Sequence, residues 1–363
     1  MLDIALRNVA FGYDREPLLR ELTVTFGRST HTAIVGPASC GASTLLRLIS
    51  GELKPKAGDI MLGQRRANDI KASRRPLLSV TSAIGVAGRW SVRHALIAAV
   101  RTRTLDREDR HREYELAIEK WSLGALLERR VRTLSSTEEA RVQLARIELL
   151  RPAVLLADRL LEHVSPAART SLADAFYRTM RVFGTTVISA PSSRDELAYT
   201  DRVVVLSEGR IVQSGLTSQV FSEPVDDAAA IATGDVDVIP VTIRGNLVES
   251  VIGAWEVDPP PFQGSGVALV RPSDFAPPAK GEDSDFVFGV EEAGFADGRW
   301  IAHGMLTGGV TIRVELPRDA VIHKGRLMAL RYDPKRFRLL PRELATLQPT
   351  VPTDVVPPMR DTR

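Results

Sequence analysis

The sequence predicts an α/β domain, a parallel sheet flanked by helices around a phosphate-binding loop, followed by a small all-β barrel or sandwich. Three observations predict it. A buried strand, THTAIVG, runs into a loop of small residues and then into an apolar helix, TLLRLISG. Helical and strand patterns alternate from about residue 137 to residue 215. Beyond about Asp235 the helical pattern stops, and short alternating segments divided by Gly, Pro and Asp take over.

The elements follow in order. LDIALRNVAF and LRELTVTF alternate as short β segments ahead of the loop. From about residue 89 to residue 133, apolar positions recur at helical spacing (HALIAAVRTR, YELAIEKWSLGALLERR), which predicts a helical insert. The alternation then resumes with helix TEEARVQLARIELL, strand AVLLAD, helix ARTSLADAFYRTMRVF, strand TTVISA, and a hairpin RVVVLSEGRIVQSG turning at Glu208-Gly209. In the last part VIPVTIRGNLV, GVALVRPSDF, VFGVEEAGF, WIAHGML, VTIRVEL and RLMALRYD read as strands. Domain limits are expected at 1–235 and 236–345. Residues 346–363, with four prolines and little to bury, are expected to be a disordered tail.

Composition narrows the function. The chain has 363 residues, enough for two cores, with 44% hydrophobic and 26% charged residues and a net charge of +3. It has no apolar run near the roughly 20 residues a membrane helix needs, and its start lacks the pattern of a signal peptide, so a cytoplasmic protein is expected. A single cysteine, Cys40, excludes an internal disulfide. Six histidines show no paired ligand spacing, which argues against a metal site of their own. The excess arginine is interleaved with acids, as in REDRHREYE, and predicts a solvated helix face and no nucleic-acid groove.

Gly36 to Thr44 reads GPASCGAST, the spacing G-x-x-x-x-G-x-[ST] of a phosphate-binding P-loop. Gly36, Pro37, Ser39 and Gly41 shape a loop whose backbone N–H groups can turn toward phosphate oxygens at a helix start. Ser43 and Thr44 supply hydroxyls. Position 42, where the motif places lysine, is Ala42. Losing that charge-assisted bond, worth about 1.5–3 kcal/mol, predicts nucleotide binding weaker by one or two decades.

Further segments in the same order carry a resemblance to the ATP-binding subunits of ABC importers for carbohydrates, polyols, iron and polyamines, which are α/β P-loop NTPases with a C-terminal domain of oligonucleotide-fold type. LSSTEEARVQLARIELLRPAVLLADRLLEHVSP resembles the family's signature helix and Walker B run, GTTVISAPSSRDELAYTDRVVVLSEGRIVQSG its switch region, and Val267 to Asp274 (VALVRPSD) a segment of its accessory domain. The resemblance implies ATP and Mg²⁺ as cofactors, Tyr13 as an adenine-stacking ring, Asp158 and Ser43 as Mg²⁺ ligands, and Ser135 as the remaining contact of the signature. It also implies contact with membrane permease subunits through the helical insert, at the inner face of the cell membrane.

Measured against that family the chemistry is depleted. Ser82 stands where the family has its metal-contacting glutamine, Arg159 where it has its catalytic glutamate, Pro191 where it has its switch histidine, and Ser165 where it has the D-loop aspartate. Its L-S-G-G-Q becomes Leu134 to Glu138, LSSTE, which reads locally as a capping box between Ser135 and Glu138. Arginine stays protonated and cannot act as a general base. Two functions remain open. One is a non-hydrolysing subunit that pairs with an intact ATPase subunit. The other is a scaffold or sensor outside transport built on the same fold.

Overall fold

The computed structural model describes residues 3–13, 16–83, 85–279, 281–296, 298–306 and 309–345. The expected tail at 346–363 lies outside them. The chain divides into two compact units, Met1–Thr217 and Ser218–Arg363.

In the first unit the strands are β1 (Ile4–Phe11), β2 (Leu19–Phe26), β3 (His31–Val35), β4 (Ala57–Leu62), β5 (Arg65–Arg66), β6 (Leu78–Thr81), β7 (Val154–Asp158), β8 (Thr186–Ala190), β9 (Arg202–Ser207) and β10 (Arg210–Leu216). Its α-helices are α1 (Ala42–Ser50), α2 (Val92–Val100), α3 (Arg107–Lys120), α4 (Ser136–Leu150) and α5 (Pro166–Val182). The central sheet has the order β10-β9-β3-β8-β7-β6. Every neighbouring pair in it is parallel except the β9–β10 hairpin. That hairpin turns at Glu208 and Gly209, both at positive φ, as a two-residue turn of this hand requires.

Strands β3 and β8 are buried at every position, polar His31, Thr32, Thr186 and Ser189 included, because helices cover both faces of a parallel sheet. Strand β7 shows how the two faces divide. Val154 and Leu156 pack with Leu45, Leu46 and Ile49 of α1, whereas Leu155 and Ala157 pack with Leu144 of α4 and Phe176 of α5. The period of two therefore separates an α1 core from a second core that also holds the insert. There Val92, Leu96, Tyr114 and Trp121 of the insert join Leu144 and Ile147 of α4. Trp121 Nε1 donates to Glu148 Oε2 at 2.7 Å, which fixes the insert to α4.

Sequence patterning places β1 and β2 ahead of the loop but does not predict what they join. They form a separate antiparallel sheet, β2-β1-β4-β5. Its strand β4 and the edge strand β6 of the central sheet are half-exposed and short, so their alternation is weak in the sequence.

The second unit contains α6 (Thr217–Ser222), whose first residue closes the first unit, and α7 (Asp227–Thr233). Its strands are β11 (Asp237–Arg244), β12 (Leu247–Ser250), β13 (Gly253–Glu256), β14 (Gly264–Val270), β15 (Phe275–Ala276), β16 (Phe286–Ala296), β17 (Arg299–Met305), β18 (Thr311–Leu316), β19 (Leu327–Tyr332) and β20 (Arg338–Pro341). They make two five-stranded sheets, β13-β12-β11-β14-β20 and β15-β19-β16-β17-β18. Ile239 and Ile243 of the first sheet and Phe288, Ile312 and Val314 of the second share one core. Arg313 Nε donates to Asp237 Oδ1 at 3.0 Å and its backbone N–H to Oδ2 at 2.7 Å, linking β18 to β11 across the two sheets. This is a small antiparallel barrel of oligonucleotide-fold type. The division of the chain into compact units falls after Thr217, the first residue of α6, and so groups the rest of α6 and α7 with the barrel. Both short helices are tied to the barrel by Arg271, which donates to Phe221 O at 2.9 Å and Thr233 Oγ1 at 3.3 Å.

Candidate nucleotide site

The parallel strands deliver four loops to one edge of the central sheet, the carboxyl ends where α/β folds hold ligands. After β3 comes the Gly36 to Gly41 loop, after β8 comes Pro191, after β7 comes Arg159, and after β6 comes Ser82. The order β3-β8-β7-β6 makes these four positions neighbours in turn. Residues more than a hundred positions apart are thus brought together by strand pairing alone.

The loop is shaped as its glycines require. A Cβ on Gly36 would lie 1.9 Å from Leu206 O, and Gly41 has φ of 100° with Leu19 Cδ2 2.7 Å from where its Cβ would be. No side chain fits at either place without displacing backbone or core. Ser39 is left-handed as well, with φ of 64°, and Cys40 N–H closes a turn on Pro37 O at 3.0 Å. Helix α1 starts at Ala42 without any side-chain cap, so its first N–H groups have no side-chain acceptor of that kind. Ala42 itself is half-buried and packs against the core beneath α1.

Ser43 Oγ donates to Asp158 Oδ1 at 2.8 Å, joining the start of α1 to the end of β7. A hydroxyl and a carboxylate in contact at a helix N-terminus are the donor set that P-loop proteins use for Mg²⁺. Thr44 is buried, and its hydroxyl lies 3.2 Å from that of Tyr13, which follows β1. The Tyr13 ring is 56% exposed, stands edge-on to Phe11, and accepts a bond from Arg47 Nη1 at 3.4 Å. Arg47, which sequence reasoning did not single out, also pairs with Glu52 at 3.5 Å. Its signal was its place one turn beyond Ser43 on α1.

The positions expected to carry chemistry are arranged otherwise. Arg159 is held at φ of 49°, a strained region for a long side chain, by its N–H bond to Ala190 O at 2.9 Å. Its guanidinium is exposed and donates to Glu162 Oε1 at 2.9 Å. Pro191 offers no donor. Ser82 is half-buried at the sheet edge. Ser165 precedes α5 as its N-cap without a side-chain bond. At the start of α4 the capping box is formed: Glu138 N–H donates to Ser135 Oγ, and Ser135 N–H to Glu138 Oε2 at 2.8 Å. The bonds from the Ser135 backbone and hydroxyl hold the Glu138 carboxyl below the usual range, and Arg129 adds to this at 2.9 Å. The helix start is thereby satisfied from within the chain.

Behind the site, Glu196 accepts from the N–H groups of Ser192 and Ser193 and from the Tyr177 hydroxyl, and burial raises its pKa. His31, on the strand that feeds the loop, is buried. It stacks on Tyr177 at 4.5 Å and meets Ser189 Oγ at 2.8 Å and Tyr199 O at 3.0 Å. Burial lowers its pKa to about 4. Among the described residues no cluster of His, Cys, Asp and Glu could hold a metal unaided, and no helix is long and apolar enough to cross a membrane.

The fold and loop of the first unit are those of an ABC ATPase. Residues 19–161 match the family model described as ABC transporter. Among relatives, the sn-glycerol-3-phosphate import ATP-binding protein UgpC 3 of Agrobacterium fabrum is 27% identical over 93% of this chain and 98% of its own length. The molybdate/tungstate import ATP-binding protein WtpC of Pyrococcus abyssi is 26% identical, over 86% of this chain and 91% of that protein. The maltose/maltodextrin import ATP-binding protein MalK of Salmonella typhimurium is 27% identical, over 69% of each. In structure, cbiO1 from Clostridium perfringens aligns with a TM-score of 0.53 at 22% identity, over 61% of this chain and 90% of that one. A bacterial Atm1-family ABC exporter with ATP bound aligns at 0.52 and 22% identity, over 61% of this chain and 40% of that one. Both likenesses concern the fold.

Proposed function

We propose that the chain is the ATP-binding subunit of a bacterial solute importer that holds MgATP weakly and serves as the non-hydrolysing partner of an intact ATPase subunit. The relatives that are import ATP-binding proteins support the importer reading. One observation carries the non-hydrolysing part. Beside a formed Ser43–Asp158 pair, the position directly after Asp158 holds Arg159, engaged with Glu162, in place of a carboxylate that could accept a proton from water.

The residues fit a nucleotide in part. The glycine-shaped loop and uncapped α1 start would hold phosphate oxygens, Ser43 and Asp158 would hold Mg²⁺, and the exposed Tyr13 ring would take the base. MgATP would supply the phosphoryl group whose transfer to water drives transport. Ala42 withholds the lysine charge from the phosphates, and Pro191 offers no donor toward them. Phosphoryl transfer depends on positioning and charge acting as a unit, so the losses compound. The insert is read as the surface that receives the permease. A carbohydrate or polyol is the cargo we favour, on the strength of the sn-glycerol-3-phosphate relative that spans both units. In a heterodimer the partner would supply lysine, glutamate and histidine to one composite site, and this chain the α4 start with its dipole.

Calorimetry of the purified chain with MgATP tests the binding half. Weak binding that Ala42→Lys tightens and Asp158→Ala weakens is the expected result. No binding by the wild-type chain or by Ala42→Lys would sink the importer-subunit reading and leave the scaffold or sensor.

A further inference from the structure

Thr44 and Arg47, three residues apart, share one face of α1. Tyr13, two residues past the end of β1, bridges them. Its ring is held from the other side by the buried Phe11, edge-on with the ring centroids 5.1 Å apart. Arg47 Nη1 donates to the Tyr13 hydroxyl oxygen at 3.4 Å, and that hydroxyl lies 3.2 Å from Thr44 Oγ1. Three side chains around the phosphate loop are thus joined in series.

Donor chemistry gives the series a direction. A guanidinium has donors only and keeps its charge, so in the first contact the Tyr13 oxygen accepts. The Tyr13 proton is then free for Thr44 Oγ1, which leaves the Thr44 proton for a further acceptor. Among the described residues the Thr44 hydroxyl has no other partner, whereas the neighbouring Ser43 hydroxyl is engaged with Asp158. Thr44 lies in the first turn of α1, where the helix start has no side-chain cap and phosphate oxygens would gather. Hydrogen bonds in series polarise one another, so a positive charge at one end strengthens the donor at the other. Glu52 draws on the same charge. Its carboxylate lies 3.5 Å from Arg47 Nε and also accepts from Ser50 Oγ at 3.1 Å, but this pair is half-exposed and correspondingly weak.

We propose that Arg47 is a positioning residue that relays part of the charge missing at Ala42 to the phosphates, through the hydroxyls of Tyr13 and Thr44. The inference rests on the reading of this loop as a nucleotide site. The relay ends on a neutral hydroxyl, so it replaces a lysine only in part. Tyr13 then has two separable roles: its ring takes the base, and its hydroxyl serves the phosphates.

The test is calorimetry of the full chain with MgATP and, separately, with magnesium tripolyphosphate, which has no base to stack. Tyr13→Phe keeps the ring and cuts the relay, and should weaken both ligands by about three- to tenfold. Arg47→Met should do the same, and the double variant should lose no more than either single one, because both cut one series. Arg47→Lys keeps the charge and should recover part of the loss. Glu52→Gln, which leaves Arg47 its full charge, should tighten both ligands by about twofold. On the Ala42→Lys background, where the charge is direct, Arg47→Met should cost less than about twofold. Additive losses, a loss confined to MgATP, or weaker binding in Glu52→Gln would overturn the relay and leave the nucleotide reading standing. Absence of binding of either ligand by both the wild-type chain and Ala42→Lys would overturn the two together. The Tyr13 ring is 56% exposed, so Tyr13→Phe should melt as the wild type does and keep folding out of the comparison.

Discussion

The two ends of the nucleotide crevice differ in what they are made of. At the β3–α1 end the geometry is backbone: Gly36 and Gly41 hold the loop, and Ser43 and Asp158 close it from the side. At the β7–β8 end function depends on particular side chains, and there the chain carries Arg159 and Pro191. The first end is also part of the fold, because the same glycines let β3, β9 and α1 pack. The second end is free to change, because exposed residues past the ends of strands contribute little to the core. On the proposed reading, the difference teaches that a nucleotide fold can outlast its chemistry where the two rest on different atoms.

The comparison can be broken most severely at the backbone end. Gly36→Ala places a Cβ 1.9 Å from Leu206 O and is expected to destabilise the chain by about 3–5 kcal/mol, measured by denaturant unfolding. Arg159→Ala, by contrast, should change stability by less than about 0.5 kcal/mol.

Acid tests the strand beneath the loop. The His31 pKa is near 4 folded and 6.5 in the unfolded chain, so the unfolded state takes up a proton first as pH falls. Its contribution is whole above pH 6.5 and is lost between about 6.5 and 4, at most about 3 kcal/mol. Glu196, with a raised pKa, acts in the opposite direction, favouring the folded state at low pH and losing that contribution as pH rises. Unfolding curves from pH 7 to 4 should therefore show a loss that His31→Asn flattens.

Restoring the charge sharpens the contrast from the other side. Ala42→Lys should tighten MgATP binding 10- to 100-fold by calorimetry, yet leave turnover at background because Arg159 and Pro191 remain. The smallest effect is expected at the α4 start. Ser135→Ala removes the cap and should cost about 1 kcal/mol in stability without changing MgATP affinity of the isolated chain.

Much of this was legible in the sequence. The loop, the hairpin at Glu208-Gly209 and the capping box between Ser135 and Glu138 are local patterns, and local geometry forms them. The strands β3, β7 and β8 declare themselves as short segments rich in Val, Ile, Leu and Ala with few charges. What was illegible depends on distant partners. The His31 environment comes from Tyr177, Ser189 and Tyr199, each far along the chain. Arg75 is buried, and donates to Leu48 O, Ile49 O and Ala67 O to close the end of α1, a role that no pattern around it announces. The half-exposed strands β4 and β6 have too weak an alternation to read, and α6 and α7 look like the end of the first domain until Arg271 ties them to the second.

The most direct measurement is ATP turnover by the purified full chain, wild type and Asp158→Ala side by side. The account predicts the same background rate for both. Hydrolysis by the wild-type chain at the rate of an ordinary cassette, abolished by Asp158→Ala, would contradict it.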